Sequence, residues 1–344
     1  MSSPAGVPAR IHAIACHLPE RVLRNEELAT QFQDWSAEKI HEKTGIRERR
    51  IAAPDETALD LAVAATRKLA AQVPDLSSRI DFIILCTQAG DYILPTSACL
   101  LQHQMGFSTN IGALDINLGC SGFVYGLSLA AGLIASEAAR SVLLVTADTY
   151  SKYIHEGDRS VRTLFGDGAA ATLVERAAPE GAARIGPFVF GSDGSGARSL
   201  IVEAGGFRLP ASELTRETKT DRSGNVRSRD NLYMDGAAVM SFTLREVPRT
   251  FRAMLDKTGT SAAEYEHVVL HQANKFMLDA LQRKLGLPDE KVPRRYEDIG
   301  NTVSSTIPFV LASLAESERL KAGTRIMLIG FGVGLSWAAA SVTL

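Results

Sequence analysis

The sequence predicts an α/β fold built from two duplicated halves, and three observations carry that expectation. Apolar strands alternate with helical stretches along the chain, the pattern of largely parallel sheets covered by helices on both faces. The strands are charge-poor: Phe82-Ile83-Ile84-Leu85 suits a central, doubly buried position. The chain also overlays on itself. Laying Ser141-Val142-Leu143-Leu144-Val145 on Arg325-Ile326-Met327-Leu328-Ile329 puts Cys120 on Ser304 and Phe82 to Leu85 on Glu266 to Val269. The shared order of elements predicts halves at residues 1–178 and 179–344. Cys120 in the first and the region of His271 and Asn301 in the second would then meet at one central cleft.

Taken in order, Arg10 to Cys16 reads as a first buried strand. Glu26 to Lys43 is polar and helical, closed by Gly45. The charged run Arg47-Glu48-Arg49-Arg50 reads as a solvated strand edge. Thr57 caps a helix from Ala58 to Gln72, whose Leu59, Ala62, Val63 and Leu69 share one face. Asp81 to Thr87 is an apolar strand, and Pro95 opens a helix to about Met105. The strand Ile111 to Ile116 turns through Gly119 and Cys120 into an apolar helix from Ser121 to Ala135, and strand Ser141 to Ala147 follows. The turn Phe165-Gly166-Asp167-Gly168 leads into a strand rather than a helix, which argues against a phosphate loop. In the second half, Ile185 to Phe190 is a strand, Arg216 to Arg229 a surface excursion, and Asp235 to Lys257 a long helix. Strand Glu266 to Leu270, helices Asn274 to Leu285 and Ser304 to Leu320, and strands Arg325 to Ile329 and Leu335 to Val342 complete the chain.

With 344 residues, 45 % hydrophobic and 22 % charged, the chain has room for two intimately packed halves and the composition of an ordinary globule. A net charge of −2 argues against non-specific nucleic-acid binding. The cysteines Cys16, Cys86, Cys99 and Cys120 include no C-x-x-C pair. Neither a disulfide framework nor a zinc site is indicated, which suits a reducing cytoplasm. Met1 to Pro8 lacks the basic start and apolar core of a signal peptide. Ile326 to Leu344 carries no charge and could imitate a membrane span, but Gly330, Gly332 and Gly334 interrupt it. It reads as two buried strands joined by a glycine turn, so no membrane partner is expected.

The chemistry centres on Cys120. A cysteine is ordinarily a packing residue. Here it stands between a strand and an apolar helix, where unpaired N–H groups and the helix dipole favour a thiolate, the form needed for acyl transfer through a thioester. His271 ends a buried strand and Asn301 precedes a helix, and the ends of parallel strands are where α/β proteins place their sites. A histidine in such a place is more often structural. His12, His17, His41, His103, His155 and His267 have no comparable setting. Gly332-Val333-Gly334 could offer a backbone N–H to an oxyanion.

Six blocks in order resemble the β-ketoacyl-acyl carrier protein synthase III family of the thiolase-like superfamily, over essentially the whole chain. They are Thr44 to Arg49, Asn117 to Phe123, Asp158-Arg159 with Leu164 to Ala169, His271 to Asn274, Gly300 to Thr302, and Gly330 to Trp337. The resemblance implies a five-layered αβαβα fold, a homodimer, and a triad of Cys120, His271 and Asn301. It implies that Cys120 takes an acyl group from acyl-CoA or acyl-ACP, with the N–H groups of Cys120 and Val333 holding the oxyanion. His271 and Asn301 then stabilise the enolate formed as malonyl-ACP loses its carboxylate. No metal and no cofactor beyond these substrates is implied. Arg159, Asn274 and Leu94 fall on substrate-binding positions, and Arg283 and Lys284 on a carrier-protein docking helix. Leu94 would reach across the dimer to close the acyl pocket, leaving more room than a phenylalanine.

The sequence also departs from the pattern. The family's adenine-stacking tryptophan falls on Lys39, its nearby arginine on Lys43, a tunnel asparagine on Ala237, and a basic carrier contact on Phe276. Two other functions compete with condensation: acyl transfer without elongation, or a secondary-metabolite ketosynthase, and a non-catalytic partner subunit of a heteromeric synthase. The retained Asn301 argues against transfer without elongation, and the intact triad against a non-catalytic subunit. A degradative thiolase would need a second cysteine near the C-terminal glycine turn, and none follows Cys120.

Overall fold

The computed structural model describes residues 6–32, 34–178 and 183–344. The expected boundary between the halves, at 178 and 179, falls at the edge of the undescribed residues.

Two sheets form the frame. The first contains β1 (Ala9–His17), β2 (Phe82–Cys86), β3 (Gly112–Ile116), β4 (Ser141–Asp148) and β5 (Gly168–Arg176), in spatial order β1-β5-β4-β2-β3. The second contains β6 (Arg184–Ser192), β7 (His267–Leu270), β8 (Arg325–Gly332) and β9 (Ser336–Thr343), in order β7-β8-β9-β6. In the first sheet β2 pairs in parallel with β3 and β4, while β5 runs antiparallel to both β4 and β1. In the second, β7 and β8 are parallel, and β9 is antiparallel to both β8 and β6. Order and direction repeat strand for strand, with β3 as the extra member of the first sheet. β4 and β8 are the pair that the overlay of Ser141 on Arg325 selects, and both have eight residues.

Six principal helices cover these sheets: α1 (Ala58–Gln72), α2 (Ser97–Gln104), α3 (Gly122–Ala135), α4 (Gly236–Thr258), α5 (Lys275–Leu285) and α6 (Thr306–Glu316). α3 and α6 form the central layer. Phe123, Leu127 and Ile134 of α3 and Ile307, Val310 and Leu314 of α6 pack into one core with Ile84 and Leu144 of the first sheet and Ile326, Leu328 and Ala340 of the second. α1 and α2 cover the outer face of the first sheet through Leu61, Leu69 and Leu101, against Ile83, Leu143 and Leu173. α4 and α5 cover the outer face of the second, where Phe251, Met254 and Leu281 meet Val268, Met327 and Ala339. The result is five layers, αβαβα. The slim face of α3 is required: a Cβ on Gly126 would stand 2.5 Å from Leu144 Cδ1, and one on Gly122 would stand 2.2 Å from Cys86 Sγ.

Local chemistry set many boundaries where the sequence placed them. Thr57 caps α1 with its hydroxyl and Asp60 answers with its carboxylate, a capping box. Gly45, Gly259 and Gly286 end their helices in the left-handed conformation that glycine adopts freely. The polar stretch from Glu26 to Lys43 is two helices, Asn25–Gln31 and Ala37–Thr44, rather than one.

Arg49 departs from the expectation of a solvated edge, because it is completely buried. Its guanidinium donates to Leu23 O (3.1 Å), Asn25 Oδ1 (2.8 Å) and Thr163 O (2.8 Å). Burial, and then the neighbouring Arg162 charge, push its pKa down to about 10. The Arg49 Cβ also packs under two glycines, 3.1 Å from where a Cβ on Gly166 would stand and 3.0 Å from one on Gly300.

Candidate active site

Cys120 stands just before α3, at the meeting of the central layer and the second sheet. The strand β8 runs past it so closely that a Cβ on Gly332 would lie 2.9 Å from Cys120 Cβ and 3.0 Å from Sγ. Only glycine admits that approach, and it brings the Gly332–Val333 backbone against the thiol. On the other side, Gln88 Oε1 and Val333 Cγ1 would each stand 2.6 Å from a Cβ on Gly119, with the Tyr150 hydroxyl at 3.3 Å. Tyr150 donates to Gln88 Oε1, and Gln88 Nε2 donates to Asn117 Oδ1 at 3.1 Å.

The folded protein changes the electrostatic expectation for the thiol. Burial, and then the nearby Asp148 carboxyl, push the Cys120 pKa up, while a backbone hydrogen bond only partly opposes them. Asp148 is itself raised to about 7 by burial, although it accepts from Gln88 N (2.8 Å) and Ser304 Oγ (2.5 Å). That second bond joins β4 of the first sheet to the turn that precedes α6 in the second half. Thr146 and Ser305 make a parallel link at 2.9 Å.

His271 and Asn301 face the same cavity as Cys120, about 140 Å³ in volume. The elements that bring them there are short and tightly tied. His271 follows β7 and donates its backbone N–H to Ile329 O at 2.9 Å. Its ring is buried, packs edge-on against Phe331 at 5.4 Å and 85°, and places Nδ1 2.7 Å from Thr306 Oγ1. Burial lowers its pKa to about 3, so the imidazole is neutral. Asn301 exchanges backbone hydrogen bonds with the loop after Arg162, donating to Leu164 O (2.9 Å) and accepting from Gly166 N (3.0 Å). Its side-chain oxygen accepts from Val303 N at 2.9 Å. Val303 holds a φ of 55°, an outlying conformation for a β-branched residue and one concentrated at functional sites. With the oxygen of its amide committed, Asn301 presents its NH₂ to the cavity.

The remaining wall is apolar: Met234, Val239, Met240, Phe276, Met277 and Phe331. Asn274 also borders the cavity, but its side-chain oxygen caps α5 by accepting from Met277 N at 2.9 Å. Phe276 is 63 % exposed. Ala237, Arg283 and Lys284 are exposed. Leu94 is 79 % exposed and does not border the cavity of its own chain, and Tyr92 and Ile93 beside it are exposed as well.

Four features escaped sequence reading. Thr306, Val303 and Asp148 carry no motif of their own, and act only through contacts between elements far apart in the chain. The fourth is Trp35. The sequence sets Lys39 where the family has its tryptophan, yet an indole stands four residues earlier, just ahead of the helix Ala37–Thr44. Lys43 Nζ lies 5.3 Å from the Trp35 ring centre, the Arg159 guanidinium 5.6 Å and Lys39 Nζ 5.8 Å. Arg159 also donates to Ser223 O.

Comparison with known proteins places this geometry. The family model described as 3-oxoacyl-[acyl-carrier-protein (ACP)] synthase III matches residues 114–194, and its C-terminal counterpart matches residues 255–344. A β-ketoacyl-[acyl-carrier-protein] synthase III of Deinococcus deserti is 36 % identical over 96 % of this chain and 90 % of its own. One from Lactococcus lactis subsp. lactis is 34 % identical over 98 % of this chain and 99 % of its own. The chain belongs to the β-ketoacyl-ACP synthase III family. A crystal structure of a 3-oxoacyl-(acyl-carrier-protein) synthase III superposes with a TM-score of 0.96 at 57 % identity, covering 98 % of this chain and all of that one. The synthase from Burkholderia xenovorans superposes at 0.90 with 35 % identity, covering 98 % of this chain and 95 % of its own. These likenesses bear out the thiolase-like αβαβα fold. With its family, the chain is an acyltransferase of the condensing type.

Proposed function

We propose that Cys120 takes an acyl group from a CoA or carrier-protein thioester, and that the protein then joins this group to a malonyl thioester with loss of CO₂. One observation carries the reading: two uncharged hydrogen-bond donors face a cavity that ends on a single buried thiol. In the first half-reaction the Cys120 sulfur replaces the thiol of the donor, and the proton of Cys120 leaves with that thiol. The tetrahedral oxyanion sits against the N–H groups of Cys120 and Val333, where the absence of a side chain on Gly332 allows the approach. In the second, the C–C bond to the malonyl carboxylate breaks and its electron pair forms an enolate. His271 and Asn301 donate to the enolate oxygen. The enolate carbon attacks the acyl-cysteine carbonyl, the Cys120 thiolate is expelled, and it takes one proton from solvent. Neutral donors suit this task, because the charge to be stabilised is a developing enolate oxygen.

Other features extend the reading. The indole of Trp35, ringed by Lys43, Arg159 and Lys39, offers an aromatic face and three positive charges to an adenine nucleotide, which favours CoA as acyl donor. Arg283 and Lys284, exposed at the end of α5, suit an acidic carrier protein. Asn274 would align the pantetheine arm with the amide nitrogen that its capping oxygen leaves unused. A homodimer would cover the exposed Tyr92-Ile93-Leu94 segment and carry Leu94 to the acyl end of the neighbouring site. The duplicated halves, 1–178 and 179–344, divide the labour: the first supplies the nucleophile and the second the donors. Four free cysteines suit a reducing cytoplasm.

The test is intact-mass spectrometry after mixing the protein with acyl-CoA and acyl-ACP, followed by malonyl-ACP. The reading expects an acyl adduct on Cys120 that malonyl-ACP discharges as a longer β-ketoacyl product. An adduct that malonyl-ACP never elongates would favour acyl transfer without condensation. No adduct from any donor would favour a non-catalytic subunit.

A further inference from the structure

Thr306 opens α6 and is fully buried. Its hydroxyl has two partners in reach, His271 Nδ1 at 2.7 Å and Val303 O at 3.2 Å. A hydroxyl carries a single proton, which can go to Nδ1 or to Val303 O, and the need for an N–H of His271 facing the enolate decides for Nδ1. If Thr306 donates to Nδ1, that nitrogen is an acceptor, and in a neutral imidazole the ring proton sits on Nε2. We infer that Thr306 is a positioning residue: it fixes neutral His271 as the Nε2–H tautomer and so makes it a donor into the cavity. The inference rests on the reading of His271 as a donor to the enolate.

The site treats its other donor in the same way. Val303 N–H holds Asn301 by the amide oxygen at 2.9 Å, leaving the NH₂ free to point outward. Both anchors come from one turn, Val303 to Thr306, and each ties up the accepting end of a side chain whose donating end is needed. The edge-on contact of Phe331 with the imidazole, at 85°, holds the ring plane on the other side. The opposite tautomer, with Nδ1–H donating to Thr306 and the hydroxyl turned to Val303 O, would show the enolate a lone pair. Tautomer errors of this kind disable other histidine sites while leaving their geometry intact.

The experiment compares wild type, Thr306→Val and Thr306→Ser by three readouts: ¹⁵N spectra of labelled histidine, acylation of Cys120 by intact mass, and decarboxylation of malonyl-ACP. The wild-type spectrum should show His271 protonated on Nε2 and bare on Nδ1. Thr306→Val keeps the volume but removes the hydroxyl. It should lose that tautomer preference and slow decarboxylation about 100-fold, the scale of one lost donor, while acylation stays close to wild type. Thr306→Ser should restore most of both. A wild-type His271 protonated on Nδ1 would overturn the inference even if Thr306→Val failed to fold, and so would a Thr306→Val protein that decarboxylates normally. If wild type acylates and decarboxylates nothing, the enzymatic reading fails, while the ¹⁵N pattern still judges the role of Thr306.

Discussion

Removal of Asn301 separates a catalytic contribution from a structural one, because the two ends of its amide have different partners. In Asn301→Ala the NH₂ facing the enolate disappears. One lost donor of this type slows a reaction by roughly 10²–10³, or about 2.7–4 kcal/mol. The side-chain oxygen disappears too, and with it the acceptor of Val303 N, 2.9 Å away in a buried turn. An orphaned buried N–H costs about 1–3 kcal/mol of folding stability, at a residue already held at φ 55°. Asn301→Ala should therefore decarboxylate malonyl-ACP at least 100-fold more slowly and unfold at lower denaturant, while still accepting an acyl group on Cys120. Asn301→Asp keeps an acceptor for Val303 and should recover part of the stability, less the cost of burying a carboxylate. Once ionised, it offers no proton to the enolate and should not recover the rate. Stopped decarboxylation assays, acyl labelling and urea titrations measure the three quantities. An Asn301→Ala protein with wild-type decarboxylation would refute the donor role, and one with a wild-type urea midpoint would refute the tie to Val303.

Three further outcomes follow from the same geometry. Gly332→Ala would set a methyl group about 3 Å from the Cys120 sulfur and should abolish acylation by any thioester, as read by intact mass, while far-ultraviolet circular dichroism stays unchanged. Arg49→Met strands two buried carbonyls and the Asn25 amide oxygen. At about 1–3 kcal/mol for each acceptor left unpaired, it should lower the urea midpoint sharply, and a midpoint within error of wild type would contradict the contribution of these three bonds. Asp148 gives a pH signature. Its folded pKa, near 7, lies above its unfolded value, so the folded state binds the extra proton between about pH 4 and pH 7. Its contribution to stability is full below about pH 4 and is lost as pH rises through about 7. Asp148→Asn should flatten the fall of stability over that window by up to about 1.4 kcal/mol per pH unit, and an unchanged slope in urea titrations from pH 4 to 7 would refute the assignment.

Much of the fold was legible because it is written in local chemistry. Thr57 announces α1, and charge-poor strands such as β2 declare a doubly covered sheet. The repeat was legible as well, since β4 and β8 keep their length and place in both sheets. Arg49 was misread for a physical reason. A run of three arginines and a glutamate looks solvated, and nothing within it reveals that Leu23, Asn25 and Thr163 wait to receive one guanidinium. The setting of Cys120 was legible as strand, turn and helix, but the influences that oppose a thiolate there were not. The helix start is a local feature, whereas the burial and the Asp148 carboxyl that raise the thiol are tertiary. Thr306 and Val303 stayed hidden likewise, because their worth lies in the atoms of His271 and Asn301 that they occupy.

The account rests on Cys120 as the acyl carrier, and one measurement tests that most directly. Wild type and Cys120→Ser are incubated with a panel of acyl-CoA and acyl-ACP donors, then digested, and the modified peptide is sequenced by mass spectrometry. The account predicts one acyl group per chain in wild type, carried by the peptide that contains Cys120, discharged by malonyl-ACP, and absent from Cys120→Ser. An acyl group found on Cys86, Cys99 or Cys16 instead, or equal labelling of Cys120→Ser, would contradict it.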